Sequence, residues 1–351
     1  MDLFDETIEE LNKHLACENQ NWIFGAGISY EANIPLMKTL TNRVCNLLPA
    51  GKSKDLYKSI STDLPDGYNI EHVLSHIGDF ISLSERSRYC SVELQGTAYS
   101  TDEFINLHTE LVRQIGETIR YGYTEADTVK GISEKVGSIE KPIVDIKNHR
   151  NFVKALVASK ANLLARSSIS IFTLNYDTLM EDALALEKFD INDGFTGAAI
   201  GFWEPDKSFN EKLGINIIKL HGSVDWLKDT KDGLIRTRYG VNYLDHSSKV
   251  LIYPQATKYV ETQKDPFATL FMKFRERLLS PLEHVTISAG YSFGDNHINS
   301  EISLALKSLG NKTTLIVFIH DINEILSTWL RDQTIAKKIT DYQLSSEYTF
   351  N

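Results

Sequence analysis

After residue 168 the sequence alternates between short apolar runs and amphipathic helical stripes, and this alternation constrains the fold more than any other feature. The apolar runs are Ile169–Leu174, Ile215–Leu220, Val250–Tyr253, Val285–Ala289 and Thr314–Ile319. Helical stripes intervene at Phe267–Leu278 and Ile298–Leu309. Continuously apolar strands that alternate with helices are typical of a parallel sheet covered by helices on both faces. The sequence therefore predicts an α/β fold.

The N-terminal part adds a strand that leads into a glycine loop. The stretch Asn21–Tyr30 is an apolar run that breaks at Gly25, Gly27 and Ser29 before a helical stripe begins at Leu36. Glycine lacks a Cβ, so the backbone can turn sharply and lie against a ligand, and free N–H groups at a helix start favour an anion such as a pyrophosphate. The same pattern also fits an ordinary turn from a strand to a helix.

Residues 52–165 show helical periodicity without the apolar strands that occur in the rest of the chain. Helical stripes occur at Ile70–Ile81, Phe104–Ile115 and Phe152–Leu164, with no clear buried strand between them, and Tyr121–Ser138 is polar and is expected to be a mobile loop. We therefore expect a helical insertion or lid subdomain over 52–165, placed within a sheet domain formed by 1–51 and 166–351.

Composition excludes several classes of protein. The net charge of -10 argues against direct nucleic-acid binding, which usually needs a basic face. The three cysteines, Cys17, Cys45 and Cys90, are too few and too widely spaced for a disulfide framework or a four-cysteine zinc module. With an acidic N-terminus and no long apolar run, a cytoplasmic protein without a membrane span is expected.

Polar side chains follow the predicted strands where each one ends. Asn175 and Asp177 follow the run at 169, His221 follows the run at 215, and Asp295 and His297 come shortly after the run at 285. Taken singly, the three acid and amide side chains suit helix caps, and the first histidine suits a buried imidazole bonded to backbone. In a parallel sheet, however, ligands bind beyond the carboxyl ends of the strands, so the convergence favours a binding site.

Four of these stretches, in this order, resemble motifs of the sirtuin family. The glycine loop, with the Ile-Pro that follows it, is similar to the family's NAD loop G-A-G-x-S…G-I-P, and the other three are similar to its T-Q-N-x-D segment, its catalytic histidine and its G-T-S segment. The matching residues are Gly25-Ala-Gly-Ile-Ser29 with Ile34-Pro35, Thr173-Leu-Asn-Tyr-Asp177, Leu220-His-Gly222 and Gly290-Tyr-Ser292. The resemblance implies a Rossmann-like NAD-binding domain.

The departures from the sirtuin pattern are informative. The zinc-ribbon cysteines of sirtuin deacylases are missing, Asn33 replaces the glycine before Ile-Pro, and Leu36-Met37 replaces Phe-Arg. Leu174 replaces the glutamine of the T-Q-N segment. These departures argue against an acyl-lysine channel. The stretches Thr173–Asp177, Leu220–Trp226 and Gly290–Asn299 resemble the sirtuin-like NADase branch of bacterial antiphage defence, and this resemblance implies NAD+ as substrate and no zinc or other metal.

The resemblance also implies roles for the site residues. Asn175 would orient the water or the nicotinamide ribose, His221 would act as general base, and Asp177 would stabilise positive charge near the nicotinamide. The residues expected to bind NAD+ are Gly25, Ala26, Gly27, Ser29, Pro35, Gly290, Ser292, Asp295 and His297, of which the last two could equally be structural.

An ungated NADase would deplete its own host of NAD+, so we expect a homo-oligomer controlled by a co-encoded partner. By resemblance this partner is an ATPase of the HerA type, although another sensor protein fits equally well. Two alternative functions remain. One is an NAD-dependent protein deacylase or ADP-ribosyltransferase, and the other is a non-catalytic sensor of NAD or a related nucleotide.

Overall fold

The computed structural model describes residues 3–127, 129, 131–158, 168–209, 215–229, 233–237, 249–252, 265–319 and 322–341. The helices, in chain order, are α1 (Leu3–Leu15), α2 (Met37–Leu47), α3 (Lys52–Thr62), α4 (Ile70–Arg86), α5 (Thr101–Tyr121), α6 (Lys147–Ala158), α7 (Leu179–Leu186), α8 (Pro205–Ser208), α9 (Phe267–Leu278), α10 (Asn296–Lys307), α11 (Glu324–Arg331) and α12 (Gln333–Ala336), and a 3₁₀ helix spans Ala26–Ala32. None of the helices in these ranges is long and apolar enough to cross a bilayer.

The strands, also in chain order, are β1 (Asn19–Phe24), β2 (Ser91–Leu94), β3 (Thr97–Ser100), β4 (Tyr123–Thr124), β5 (Lys135–Val136), β6 (Ser168–Thr173), β7 (Ile191–Asn192), β8 (Phe195–Gly197), β9 (Ile200–Trp203), β10 (Ile215–Lys219), β11 (Gly222–Asp229), β12 (Gly233–Thr237), β13 (Lys249–Ile252), β14 (His284–Ala289), β15 (Thr313–Phe318) and β16 (Ile339–Asp341).

The central sheet confirms the predicted α/β class. Seven strands in the described ranges pair in the order β16-β15-β14-β1-β6-β10-β7, and every neighbouring pair is parallel. The register aligns Phe24, the last residue of β1, with Ala289 of β14 and with Thr173 of β6. Thr173 is in turn aligned with Lys219 of β10. The segments that follow these four strands therefore emerge side by side at one edge.

Helices cover both faces of this sheet, as predicted. Successive residues of a strand point to opposite faces, and in β6 the side chain of Ile171 packs on one face while Phe172 packs on the other. The first face holds apolar residues of α6 and α7, including Val153 and Met180. The second face holds residues of α9 and α10, including Phe274. All these side chains are buried, which gives the sheet a core on each side.

A second sheet corrects one prediction. The run at 250 was expected in the parallel sheet, but β13 pairs antiparallel with β11 in a five-stranded sheet of order β13-β11-β12-β9-β8. A four-residue apolar run fits either kind of sheet, because its direction depends on a partner elsewhere in the chain. Tyr253, the last residue of the predicted run, lies outside the described residues.

The predicted helical region contains α3, α4, α5 and α6, and it also carries the β2–β3 hairpin. Its apolar cluster is shared with the segments that follow β6 and β10, because Tyr176, Leu179 and Val224 belong to it. Within the polar stretch expected to be a loop, β4 pairs with β5. Leu164, part of the third predicted stripe, lies outside the described residues, and the division of the chain into domains stays a prediction.

Candidate functional site

A cavity of about 610 Å³ lies beyond the carboxyl ends of β1, β6, β10 and β14. The register of the sheet explains its position, because these four strands end at the same edge. Its walls include every predicted site residue except His297. These residues are Gly25, Ala26, Gly27, Ser29, Pro35, Asn175, Asp177, His221, Gly290, Ser292 and Asp295.

The glycine loop packs against the end of β14. The N–H of Gly25 donates to the carbonyl of Ala289 at 3.1 Å, and the N–H of Gly27 donates to the carbonyl of Gly290 at 2.9 Å. A Cβ at residue 25 would lie 2.5 Å from the carbonyl oxygen of Gly290, and one at residue 27 would lie 2.8 Å from its Cα. The close approach that requires these glycines is therefore to another backbone segment of the same chain.

The helix predicted to begin at Leu36 is α2, which begins at Met37, so the unpaired N–H groups of an α-helix start lie there and not directly after Gly25. The N–H of Gly27 already has a carbonyl partner, and the helix that follows the loop is a 3₁₀ helix of 7 residues rather than an α-helix. The first turn of α2, which begins at Met37, also lines the cavity. The first N–H groups of an α-helix have no partner within the helix, and Leu36 at this N-cap provides no side-chain acceptor.

Asn175 forms part of a buried polar chain below the glycine loop. Its Nδ2 donates to Ser29 Oγ at 3.0 Å, and that oxygen lies 3.5 Å from His149 Nε2 on α6. Burial lowers the pKa of His149, and the negative charge of Asp177 opposes that shift. The Oδ1 atom of Asn175 is buried and has no hydrogen-bond partner among the described residues. Asn175 therefore retains an acceptor atom that no described group uses.

His221 and Asp295 form a buried pair. The distance between His221 Nε2 and Asp295 Oδ2 is 3.0 Å, and both side chains are almost completely inaccessible to solvent. The other carboxylate oxygen, Oδ1, accepts from the N–H groups of His297 and Ile298 at 2.8 and 3.3 Å, so it caps α10. When Nε2 donates to this carboxylate, Nδ1 is the unprotonated ring nitrogen and can accept a proton. One carboxylate thus performs the predicted capping role and also orients the imidazole.

Asp177 also bonds to the start of a helix, directly before Thr178, which is the N-cap residue of α7. Its Oδ1 accepts from the N–H of Leu179 at 3.0 Å, at the start of α7. The carbonyl of Asp177 accepts a hydrogen bond from Lys219 Nζ, and this ammonium forms a buried ion pair with Glu181 at 3.1 Å. These contacts hold the backbone at residue 177 while its carboxylate lines the cavity.

His297 is not among the residues that line the cavity, and its role in NAD binding stays a prediction. Its ring lies against Phe271 of α9, with the ring centroids 4.5 Å apart. Asp295 is the N-cap of α10. The side chain of His297, two residues later, lies on the face of α10 that meets α9. Proximity in sequence to the capping residue therefore did not bring His297 into the site.

Two residues that the sequence analysis did not assign also line the cavity. Tyr176 OH donates to Glu71 Oε1 at 2.5 Å, and both side chains are buried. Burial, together with the negative charge of Glu71, raises the pKa of Tyr176 well above its ordinary value. A local signal, the Asn69-x-x-His72 capping box, marks the start of α4. It does not reveal that this helix end faces the segment after β6, which is 105 residues away in the chain.

Part of the chain is similar to a known domain family. Residues 169–337, just under half of the chain, match a family model described as a SIR2-like domain. A crystal structure of a Sir2 homolog–NAD complex is similar to the chain, with 12% sequence identity, coverage of 95% of this chain and 87% of that chain, and a TM-score of 0.40. None of the curated proteins matches the chain. The matched domain includes the strand ends that carry Asn175, His221 and Asp295.

Proposed function

We propose that the chain is an NAD+ hydrolase that cleaves the bond between nicotinamide and ribose. The observation that carries this proposal is the buried His221–Asp295 pair, which meets Asn175 at one cavity. An oriented imidazole beside an amide with an unpartnered oxygen suits the activation and positioning of a water molecule. The match of this half of the chain to a SIR2-like domain supports NAD+ as the ligand.

The charges around the cavity suit the two halves of NAD+. Two buried acidic residues, Asp177 and Asp295, line it, and they would favour the cationic nicotinamide–ribose half. Lys38 is exposed and also lines the cavity, in the first turn of α2. Its ammonium and the free N–H groups of that turn would attract the diphosphate. The volume of about 610 Å³ lies within the usual range for small-molecule sites.

The reaction would proceed with nicotinamide leaving and taking the bonding electron pair, so that positive charge develops on the ribose. Asp177 would stabilise this charge electrostatically. Asn175 Oδ1 would accept a hydrogen bond from the attacking water or from a ribose hydroxyl. His221 Nδ1 would take the proton that the water loses as it bonds to the anomeric carbon, and Asp295 would stabilise the resulting imidazolium. The products are ADP-ribose, nicotinamide and one proton.

The proposed biological role is NAD+ depletion under control. Continuous hydrolysis of NAD+ would be lethal to the cell, and we propose that the activity is gated by assembly into a homo-oligomer and by a co-encoded protein, such as an ATPase of the HerA type. NAD+ depletion on infection would then make the chain an effector of antiphage defence. This role rests on the resemblance in sequence described above.

The test is incubation of the purified chain with NAD+, alone and with the product of its neighbouring gene, followed by chromatography of nicotinamide and ADP-ribose. We expect His221→Ala and Asn175→Ala to lower the rate by about 10²–10⁴-fold. His76→Ala is the matched control, because His76 packs on Phe80 outside the cavity. NAD+ binding without turnover would support a nucleotide sensor instead. NAD+-dependent removal of the acetyl group from an acetylated peptide, with transfer of that group to ADP-ribose, would support a deacylase.

A further inference from the structure

The helical region contributes a buried carboxylate to the cavity. Glu71 is the second residue of α4 and is only 3% exposed. The cap of α4 fixes its position, because the N–H groups of Glu71 and His72 both donate to Asn69 Oδ1, at 2.9 and 3.2 Å. The helix start at the cavity is therefore capped, and the carboxylate among the residues with which it lines the cavity is Glu71.

This carboxylate is bonded to the middle residue of the segment proposed to be catalytic. Tyr176 lies between Asn175 and Asp177, and its hydroxyl donates to Glu71 Oε1 at 2.5 Å. A hydrogen bond to an ionised acceptor is about twice as strong as one between neutral groups. A break in this bond would leave a buried phenol or a buried carboxylate oxygen without that partner, which costs more than the bond itself contributes.

The backbone of Tyr176 is hydrogen-bonded to the segment that follows His221. Its carbonyl accepts from the N–H of Val224 at 2.9 Å, three residues after His221. The carbonyl of Val224 in turn accepts a hydrogen bond from the guanidinium of Arg120 on α5. Two helices of the helical region thus hold the two catalytic segments, one through the Tyr176 side chain and one through the backbone at residue 224.

We infer that Glu71 is a positioning residue of this site: through Tyr176 it holds the Asn175–Asp177 segment in its catalytic geometry, so that turnover depends on the seating of α4. This inference rests on the proposed NAD+ hydrolysis. It predicts that loss of the bond lowers kcat more than it weakens substrate binding, because the carboxylates and the loop that contact the substrate remain in place.

The kinetic test compares Tyr176→Phe, Glu71→Ala and the double variant. We expect each single change to lower kcat about 10- to 100-fold with KM changed less than about threefold, and the double variant to be no slower than the slower single one, because both remove the same bond. Glu71→Gln retains an acceptor oxygen and should keep at least about ten times the kcat of Glu71→Ala. Tyr99→Phe is the control, since Tyr99 lies in the same apolar cluster but away from the cavity.

Two kinetic results would overturn the inference. If Tyr176→Phe keeps the kcat of the unaltered chain, the hydrogen bond does not position the segment. If Glu71→Gln is as slow as Glu71→Ala while Tyr176→Phe is fast, the charge of Glu71 acts on the substrate directly.

Hydrogen exchange of the unliganded chain separates this inference from the proposed function. The amide of Val224 donates to the carbonyl of Tyr176, so its exchange reports on the seating of the segment. Tyr176→Phe and Glu71→Ala should speed this exchange about tenfold, and Tyr99→Phe should not. Unchanged exchange refutes the positioning role. If the unaltered chain never hydrolyses NAD+, the hydrolase proposal fails while the exchange result still decides the role of Glu71.

Discussion

Asp295→Asn is the substitution that tests the proposed chemistry most directly. In the folded chain the two carboxylate oxygens of Asp295 have different partners. Oδ1 caps α10, and Oδ2 lies 3.0 Å from His221 Nε2. Asparagine keeps an oxygen for the cap but presents an amide NH₂ group to the imidazole. Because that group only donates, Nε2 must become an acceptor and the ring proton must move to Nδ1. The imidazole is then the wrong tautomer to accept a proton from water.

The expected effects on stability and on activity differ widely. Asparagine and aspartate are about equally favourable at an N-cap, so the substitution should change the stability of the helix end little. Exchange of a charged acceptor for a neutral group should cost about 1 kcal/mol of unfolding free energy. Loss of a positioned general base lowers a rate by about 10²–10⁴-fold, and we expect kcat to fall by that factor.

The assay is nicotinamide release under saturating NAD+, with chemical denaturation of the same samples. Asp332→Asn is the matched control, because Asp332 caps α12 through the N–H groups of Thr334 and Ile335 and does not line the cavity. The control should keep its rate and show a similar small change in stability. If Asp295→Asn turns over NAD+ as fast as the unaltered chain, the assignment of His221 as a base oriented by Asp295 is wrong.

Two further predictions concern stability. Gly25→Ala places a Cβ 2.5 Å from the carbonyl oxygen of Gly290 and should cost about 1–3 kcal/mol or more, whereas Gly78→Ala in α4 meets open space and should stabilise the chain by about 0.5–1 kcal/mol. Chemical denaturation measures both, and equal midpoints would contradict the packing argument. Burial lowers the pKa of His149 below its ordinary 6.5, so the unfolded chain binds a proton first as pH falls. As the pH is lowered from 6.5, His149 should therefore reduce the unfolding free energy by up to about 1.4 kcal/mol per pH unit. His149→Gln should make the unfolding free energy depend less steeply on pH. Chemical denaturation at pH 7.5 and 5.5 measures this dependence, and the same dependence in the variant and the unaltered chain would refute the prediction.

Local sequence patterns predicted the strands whose ends form the cavity, and the reason is physical. A strand buried on both faces must be apolar throughout, so runs such as Ile169–Leu174 identify central strands of a parallel sheet. Polar residues directly after such runs must lie at the carboxyl edge of the sheet. For this reason Asn175, Asp177 and His221 could be placed in one site before their contacts were known.

The features that the sequence did not predict share a physical cause, which is that a local pattern carries no information about distant partners. The run at Val250 was assigned to the wrong sheet, since its direction depends on β11. The approach of the Gly290 backbone to the loop glycines was not predicted. The contact between His297 and Phe271 was not predicted either, because it depends on the orientation of α10.

The sequence by itself determined the α/β class and the set of strand ends that carry the polar side chains, because helical and strand periodicities and strand-end positions are local properties of the chain. Only the tertiary structure decided which groups pair. His221 meets Asp295 across 74 residues and Tyr176 meets Glu71 across 105. These contacts depend on the order and register of the strands and on the packing of α4, and they place an imidazole beside a buried carboxylate.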